Sequence, residues 1–271
     1  MSHYVVLVLS EENQSIEELL EPYDENIEVE PYVAKTKEEV IQQGKEYQSE
    51  MKKRKEENEK FQMDDYISKI FACQTDEEFY DFMRNEYYQG STFDSDGNLL
   101  STYNPNSKWD WWEVGGRFCN YLLPYLKKTF VEDLKTQGVM GTSDAEIHLK
   151  DISLESIPKH YESAKRFWEI YVEKKPLEEG EKEPFTLLKE DYYKKRYGTK
   201  EEYCKEESCF CPYAVVTPDG EWHEPGEMGW FGISSASIDE EKEWFYDCRK
   251  MLMKLQKEQP DLVVTIVDCH I

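Results

Sequence analysis

The chain has 271 residues, of which 39% are hydrophobic and 14% aromatic, and this apolar content is too high for a disordered chain. Its formal net charge of -25, from 58 acidic and 33 basic residues, disfavours binding to nucleic-acid polymers and to anionic membranes. No segment approaches the roughly 20 apolar residues that span a bilayer, and the start MSHYVVLVLS lacks the basic region of a signal peptide. We therefore expect a soluble, cytoplasmic protein.

The first half of the chain combines one strand with several helices. Tyr4–Leu9 is a short apolar run, rich in β-branched residues, that is typical of a buried central strand. Thr36 and Glu39 have the spacing of a capping box, which predicts the start of a long charged helix that runs toward Phe61. Two more helical stretches follow, and together these segments predict a helical insertion over residues 37–90.

The last third of the chain has the clearest pattern. Tyr213–Val216 and Trp222 flank an Asp-Gly turn, which predicts a hairpin because this pair adopts the backbone angles of a tight turn. Ser237 and Glu240 have the spacing of a capping box at the start of a helix with one apolar face. Leu262–Val267 then predicts a second buried strand.

This order of elements predicts the fold class. A strand, helices, a hairpin, a capped helix and a final strand indicate an α+β fold, with a ferredoxin-like antiparallel sheet and packed helices. We expect a single domain over residues 1–271. Besides the insertion at 37–90, a second insertion, helical and charged, is predicted over residues 155–210.

The densest motif of the sequence lies between Ser107 and Phe118. It combines three indoles, two adjacent glycines and charges of both signs. Indoles can stack on a base, adjacent glycines let the backbone approach a ligand closely, and an arginine can contact phosphate. The ligand-binding residues predicted here are Lys108, Trp109, Asp110, Trp111, Trp112, Gly115, Gly116 and Arg117. The alternative is a structural motif, in which the indoles fill the core and the charged residues form ion pairs.

A second cluster of glycines and indoles follows the predicted hairpin. Trp222, His223 and Trp230 belong to it, and its several glycines indicate a shaped loop rather than a helix. We expect this loop to meet the first motif, so that the two form an aromatic pocket for a nucleotide-like small molecule. In the alternative interpretation, the loop only covers the sheet.

Two further groups of residues could support chemistry. Asp268 and His270 are two positions apart in an extended segment, so they share one face and could share a proton or a metal, with His3 or His223 nearby. A second group consists of three cysteines that could act as zinc ligands together with His223, namely Cys204, Cys209 and Cys211. Their spacing fits zinc poorly, so we expect free thiols and no cofactor.

Four segments resemble a family of phage and prophage proteins for which no activity is assigned. They are EPYDENIEVEPYV (Glu21–Val33), SKWDWWEVGGRF (Ser107–Phe118), VVTPDGEWHEPGEMGW (Val215–Trp230) and VVTIVDCHI (Val263–Ile271). The resemblance spreads over the whole chain and implies a viral origin and expression in a bacterial cytoplasm. It transfers no functional residues.

Three functions follow as hypotheses. The first is a counter-defence protein that binds and sequesters a nucleotide-derived immune signal, as a homo-oligomer. The second is a hydrolase that cleaves such a signal with His223, Asp268 and His270, with or without a metal. The third is an acidic inhibitor that mimics DNA and presents Glu38–Phe61 and Glu178–Glu190 to a basic host protein.

Overall fold

The computed structural model describes residues 2–58, 61–137 and 146–271, and for residues 133–137 and Trp230 it describes the backbone only. Two compact units are present. Unit 1 comprises Met1–Glu25 and Asn106–Ile271, and unit 2 comprises Asn26–Pro105. None of the helices in the described ranges is long and apolar enough to cross a membrane.

The described residues form seven strands and nine α-helices. The strands are β1 His3–Ser10, β2 Glu28–Lys35, β3 Leu99–Tyr103, β4 Trp111–Val114, β5 Ala214–Val216, β6 Trp222–His223 and β7 Val263–His270. The helices are α1 Ile16–Leu20, α2 Lys37–Glu57, α3 Asp65–Ala72, α4 Asp76–Phe82, α5 Lys128–Gln137, α6 Pro158–Tyr171, α7 Glu190–Tyr197, α8 Lys200–Ser208 and α9 Ile238–Glu258. The mixed α and β composition agrees with the predicted fold class.

Unit 1 is built on a five-stranded sheet with the order β4-β7-β1-β5-β6. The strands β4, β7 and β1 pair antiparallel, and β5 and β6 form the predicted hairpin. However, β1 and β5 pair in the parallel direction. The ferredoxin-like antiparallel sheet is therefore not confirmed, because a crossover places β5 directly beside β1 and leaves its hairpin partner β6 at the outer edge.

The two faces of this sheet carry separate parts of the core of unit 1. Alternate residues of a strand project to opposite faces, and Leu7 accordingly packs with Phe210 and with Leu252 of α9 on one face. On the other face, Val6 packs with Leu20 among buried aromatic side chains. β1 is thus buried on both faces, as its apolar sequence predicts.

The helices α6, α7 and α8 form a further aromatic cluster of unit 1, around Trp168, Tyr193 and Tyr203. Residues 174–189, which connect α6 to α7, contain no helix or strand. Nearly all of Glu178–Glu190, the segment that the inhibitor hypothesis presents to a basic host protein, is therefore not helical. Its glutamates include Glu181, which forms an ion pair with Arg166 of α6.

Unit 2 packs α2, α3 and α4 around Val40, Ile70 and Met83, and it contains the antiparallel pair of β2 and β3. The predicted capping box of Thr36 and Glu39 is confirmed at the start of α2. Helix α2 carries six acidic and six basic residues. The formal charges of α2 therefore sum to zero.

Core packing in unit 1 gives a first prediction. Leu252 of α9 is 0% exposed, whereas the neighbouring Met253 is 57% exposed. We expect Leu252→Ala to lower the free energy of unfolding by about 2–5 kcal/mol through lost burial and a cavity, and Met253→Ala to change it by about 0.5 kcal/mol or less. Urea denaturation measures both, and equal losses would contradict the assignment of this helix face to the core.

Candidate active site

The candidate active site lies on one face of the five-stranded sheet. On this face, polar and aromatic side chains lie beyond the apolar residues of the core. His3 on β1 pairs with His270 on β7, and His270 pairs with Trp111 on β4. Residues paired across neighbouring strands share a face, so these three rings are side by side. The centroids of the two imidazoles are 4.9 Å apart in an edge-to-face arrangement, and those of His3 and Trp111 are 6.4 Å apart.

Each imidazole is hydrogen-bonded to its own carboxylate. His3 Nδ1 lies 2.9 Å from Asp268 Oδ1, and His270 Nδ1 lies 2.5 Å from Asp110 Oδ1. An ionised carboxylate can only accept, so each Nδ1 must donate, and in the neutral ring Nε2 then keeps its lone pair. We call His3–Asp268 and His270–Asp110 the two His–Asp pairs.

Both imidazoles are largely buried and are bonded to the protein through Nδ1. The side chains of His3 and His270 are only 15% and 13% exposed. The bonds that join each ring to its carboxylate use Nδ1 and do not involve Nε2.

A glycine turn after β4 holds the carboxylate of Asp268. Asp268 is 1% exposed, and its Oδ2 accepts a hydrogen bond of 2.9 Å from the backbone N–H of Arg117. Gly116 has a φ of +44°, and a Cβ on it would lie 2.6 Å from Asp268 Cβ, closer than real side chains approach. Only glycine therefore lets this turn approach the carboxylate closely.

The two cations of the predicted motif have different environments. Lys108 Nζ lies 2.8 Å from Glu224 Oε1 and 3.5 Å from Glu227 Oε1, so its charge is compensated within the protein. Arg117 is exposed, and it takes part in none of the ion pairs found between described residues. The backbone N–H of Arg117 contacts Asp268, so Arg117 lies in the turn next to the His3–Asp268 pair.

The predicted indoles are divided between the two faces of the sheet. Trp111 is 49% exposed on the imidazole face. Trp109 is buried on the opposite face, where its Nε1 donates to the carbonyl of Leu20 at 3.1 Å. Trp112 and Trp222 are partly buried against the same cluster. One of these four indoles thus borders the candidate site, and the other three support the sheet from behind.

Two ionisable side chains on the back face of the sheet are neutral. The Tyr4 hydroxyl donates to the carbonyl of Lys108, and burial raises the pKa of this hydroxyl. Burial likewise raises the pKa of the Cys269 thiol. Both groups therefore stay protonated.

His223 and Trp230 are not brought to this site by any described contact. His223 lies on β6 opposite Val215, which pairs with Leu7. Strand spacings then put it about 16 Å from His3. Its Nε2 lies 3.4 Å from Thr217 Oγ1. The side chain of Trp230 lies outside the described residues, and its backbone forms a turn, Trp230–Gly232.

Two of the three cysteines that were considered as zinc ligands lie in the interior of the protein. Cys204 and Cys209 are buried, and burial raises the pKa of both thiols, which disfavours the thiolate form that binds zinc. Within the described ranges, no group of three or more histidine, cysteine, aspartate or glutamate side chains is arranged to hold a metal ion.

Sequence reasoning underestimated His3. It considered Asp268 and His270 together but did not derive that His3 takes Asp268 while His270 takes Asp110. The available signal was the alternation of β1, in which His3 projects to the same face as Leu7. The pairing itself depends on the order and register of the strands.

Comparison with known proteins provides no relative for this chain: no family model, no curated protein and no solved structure matches it. The two His–Asp pairs are therefore the feature of the chain from which a function can be inferred.

The close approach of Gly116 to Asp268 gives a second prediction, with Gly220 as a matched control. Gly220 also has a positive φ, +83°, but a Cβ there would meet nothing within 4 Å. We expect Gly220→Ala to cost about 1 kcal/mol of unfolding free energy from backbone strain alone, and Gly116→Ala to cost about 2–4 kcal/mol because Asp268 must also move. Urea denaturation measures both, and equal costs would show that the turn does not hold the carboxylate.

Proposed function

We propose that this protein is a hydrolase that cleaves a phosphoester bond of a nucleotide-derived small molecule by acid–base catalysis at His3 and His270. The observation that supports this function is the paired geometry of the two imidazoles. Their centroids are 4.9 Å apart, and each Nδ1 is fixed by a carboxylate.

Two such imidazoles suit the two proton transfers of a hydrolysis. In the proposed reaction, one neutral Nε2 accepts a proton from water while the water oxygen bonds to phosphorus. The bond from phosphorus to the leaving oxygen breaks, and the other, protonated Nε2 gives its proton to that oxygen. Positioned acid–base groups of this kind accelerate reactions by about 10² to 10⁴. Solvent then restores the proton that has moved from one imidazole to the other.

The carboxylates have a supporting role in this mechanism. Asp268 and Asp110 hold the imidazoles in the tautomer that has a lone pair on Nε2, and they stabilise each ring when it is protonated. A protonated His–Asp pair is neutral as a unit. The two carboxylates therefore repel a phosphate less than their number suggests.

The surroundings of the pairs support a nucleotide-derived ligand. Trp111 is half exposed beside His3 and provides a face on which a base can stack. Arg117 provides an exposed guanidinium, whose planar fork matches phosphate oxygens. The resemblance to phage and prophage proteins makes bacterial immune signals, such as cyclic nucleotides and ADP-ribose derivatives, the substrates to test first.

Sequestration without cleavage is the second candidate function. The exposed surfaces of Trp111 and Arg117 favour it, since stacking and phosphate contact require no proton transfer. It differs from the first function in one measurable respect. A binding protein releases the ligand intact when it is denatured, whereas an enzyme releases products.

Turnover by histidine variants gives a third prediction. Incubation of cyclic nucleotides and ADP-ribose derivatives with sub-stoichiometric protein, followed by mass spectrometry, should yield cleaved products. His3→Asn and His270→Asn should each reduce turnover at least about 100-fold. Asparagine keeps a donor at the position of Nδ1, so the bond to the carboxylate can persist while Nε2 is lost.

His223→Gln serves as the control variant, because His223 lies away from the pairs, and it should retain wild-type turnover. Chelation with EDTA should also leave the rate unchanged. Stoichiometric binding with release of intact ligand would replace the hydrolase by the sequestering protein. If the protein neither binds nor cleaves any ligand in this panel, both candidates are wrong. Loss of turnover with EDTA would overturn the metal-free mechanism.

A further inference from the structure

A cavity of unit 1 lies between α7, α8, the segment before β5 and the first turns of α9. Its volume is about 270 Å³, and four aromatic side chains line it, namely Tyr197, Tyr213, Trp244 and Phe245. Cavities that hold drug-sized ligands usually have volumes of about 300–1,000 Å³. This cavity therefore suits a group of the size of one amino-acid side chain rather than a whole nucleotide.

Two of these aromatic side chains already use their polar atoms within the protein. Trp244 Nε1 donates to the carbonyl of Pro212 at 3.1 Å. The Tyr213 hydroxyl donates to the carbonyl of Gly226 and lies 3.0 Å from Ser234 Oγ. The two side chains therefore offer their ring surfaces to the cavity, and aromatic ring faces attract cations.

The charged side chains that line the cavity are one arginine and three glutamates. Arg196 Nη2 lies 2.8 Å from Glu206 Oε2, and Arg196 Nε lies 3.1 Å from Glu241 Oε2. Two of the carboxylates thus compensate the arginine. The third belongs to Glu207, for which no hydrogen bond or ion pair of the side chain is found in the part of the chain that the structure describes. One negative charge of the cavity is left without a partner there.

The ionised carboxylate of Glu207 opposes folding. Glu207 reaches solvent in the cavity, yet the surrounding protein partly desolvates its carboxylate and raises its pKa, and the charge of Glu206 raises that pKa further. An acid whose pKa is raised by folding is less stable when ionised in the folded protein than in the unfolded chain. Ionisable groups that are perturbed in this way inside a cleft are candidates for ligand binding.

We propose that this cavity binds a guanidinium or ammonium group, with Glu207 as its ion-pair partner and the rings of Tyr213 and Trp244 as its walls. The inference does not rest on the proposed function. A bound cation supplies the charge that Glu207 lacks, and it gains both a charge-assisted hydrogen bond and contact with aromatic rings. A free organic cation and an arginine or lysine side chain of a protein share this chemistry.

Calorimetric binding of butylguanidinium and butylurea tests the inference, because the two probes have nearly the same shape and differ in charge. Wild-type protein should bind butylguanidinium about tenfold or more tightly than butylurea. Glu207→Gln keeps the size of the side chain and removes its charge, so it should abolish this preference. Glu201→Gln removes the same charge from an exposed position of α8 that does not line the cavity, and as the control it should behave like wild type.

Urea denaturation of Glu207→Gln separates a binding role from a structural one. The variant should be at least as stable as wild type, since it removes a charge that opposes folding. Loss of the preference for butylguanidinium in a fully stable protein would then assign the carboxylate to binding. A marked loss of stability would instead show that Glu207 has a structural role and would overturn the inference.

A peptide with one arginine, acetyl-Gly-Arg-Gly-amide, distinguishes the two sources of the cation. Tighter binding of the peptide than of butylguanidinium would support a protein side chain as the ligand, and equal or weaker binding would support a free organic cation. The inference is wrong if wild-type protein binds butylguanidinium and butylurea equally, if it binds neither these probes nor the peptide, or if Glu207→Gln keeps the preference. None of these results depends on turnover at His3 and His270.

Discussion

The register between β1 and β7 is the constraint on which the candidate active site depends. His3 faces His270 only in this register, and a slip by one residue would turn every side chain of β1 to the other face. The register is fixed by burial, since Leu7 and Ile266 meet across the same two strands within the core below α9. The packing that stabilises the sheet therefore also places the two imidazoles side by side.

The buried carboxylate of Asp268 connects packing to chemistry. An ionised carboxylate removed from water is destabilising unless hydrogen bonds compensate it. Here one oxygen accepts from His3 Nδ1 and the other from the N–H of Arg117, which Gly116 brings into reach. The same turn thus stabilises the carboxylate, which in turn fixes the tautomer of His3.

Local patterns in the sequence were sufficient for individual elements but not for their arrangement. The apolar run of Tyr4–Leu9, the Asp-Gly hairpin and the capping box before α9 all predicted their elements correctly. The parallel pairing of β1 with β5 and the short strand β4 depend on contacts distant in sequence, so local patterns could not reveal them. Strand alternation at Trp111 and Trp112 could have shown that adjacent indoles face opposite ways. The carboxylate partners of His3 and His270 could be identified only from the complete strand order.

The protonation pattern of the two imidazoles tests the central claim most directly. Long-range proton–nitrogen NMR spectra of histidine-labelled protein distinguish the two neutral tautomers, and His3→Asn and His270→Asn identify the two signals among the five histidines. The two His–Asp pairs require that both neutral rings carry the proton on Nδ1 and the lone pair on Nε2. Signals that place the proton on Nε2 in both rings would contradict the account, because neither Nε2 would then have the lone pair that accepts a proton.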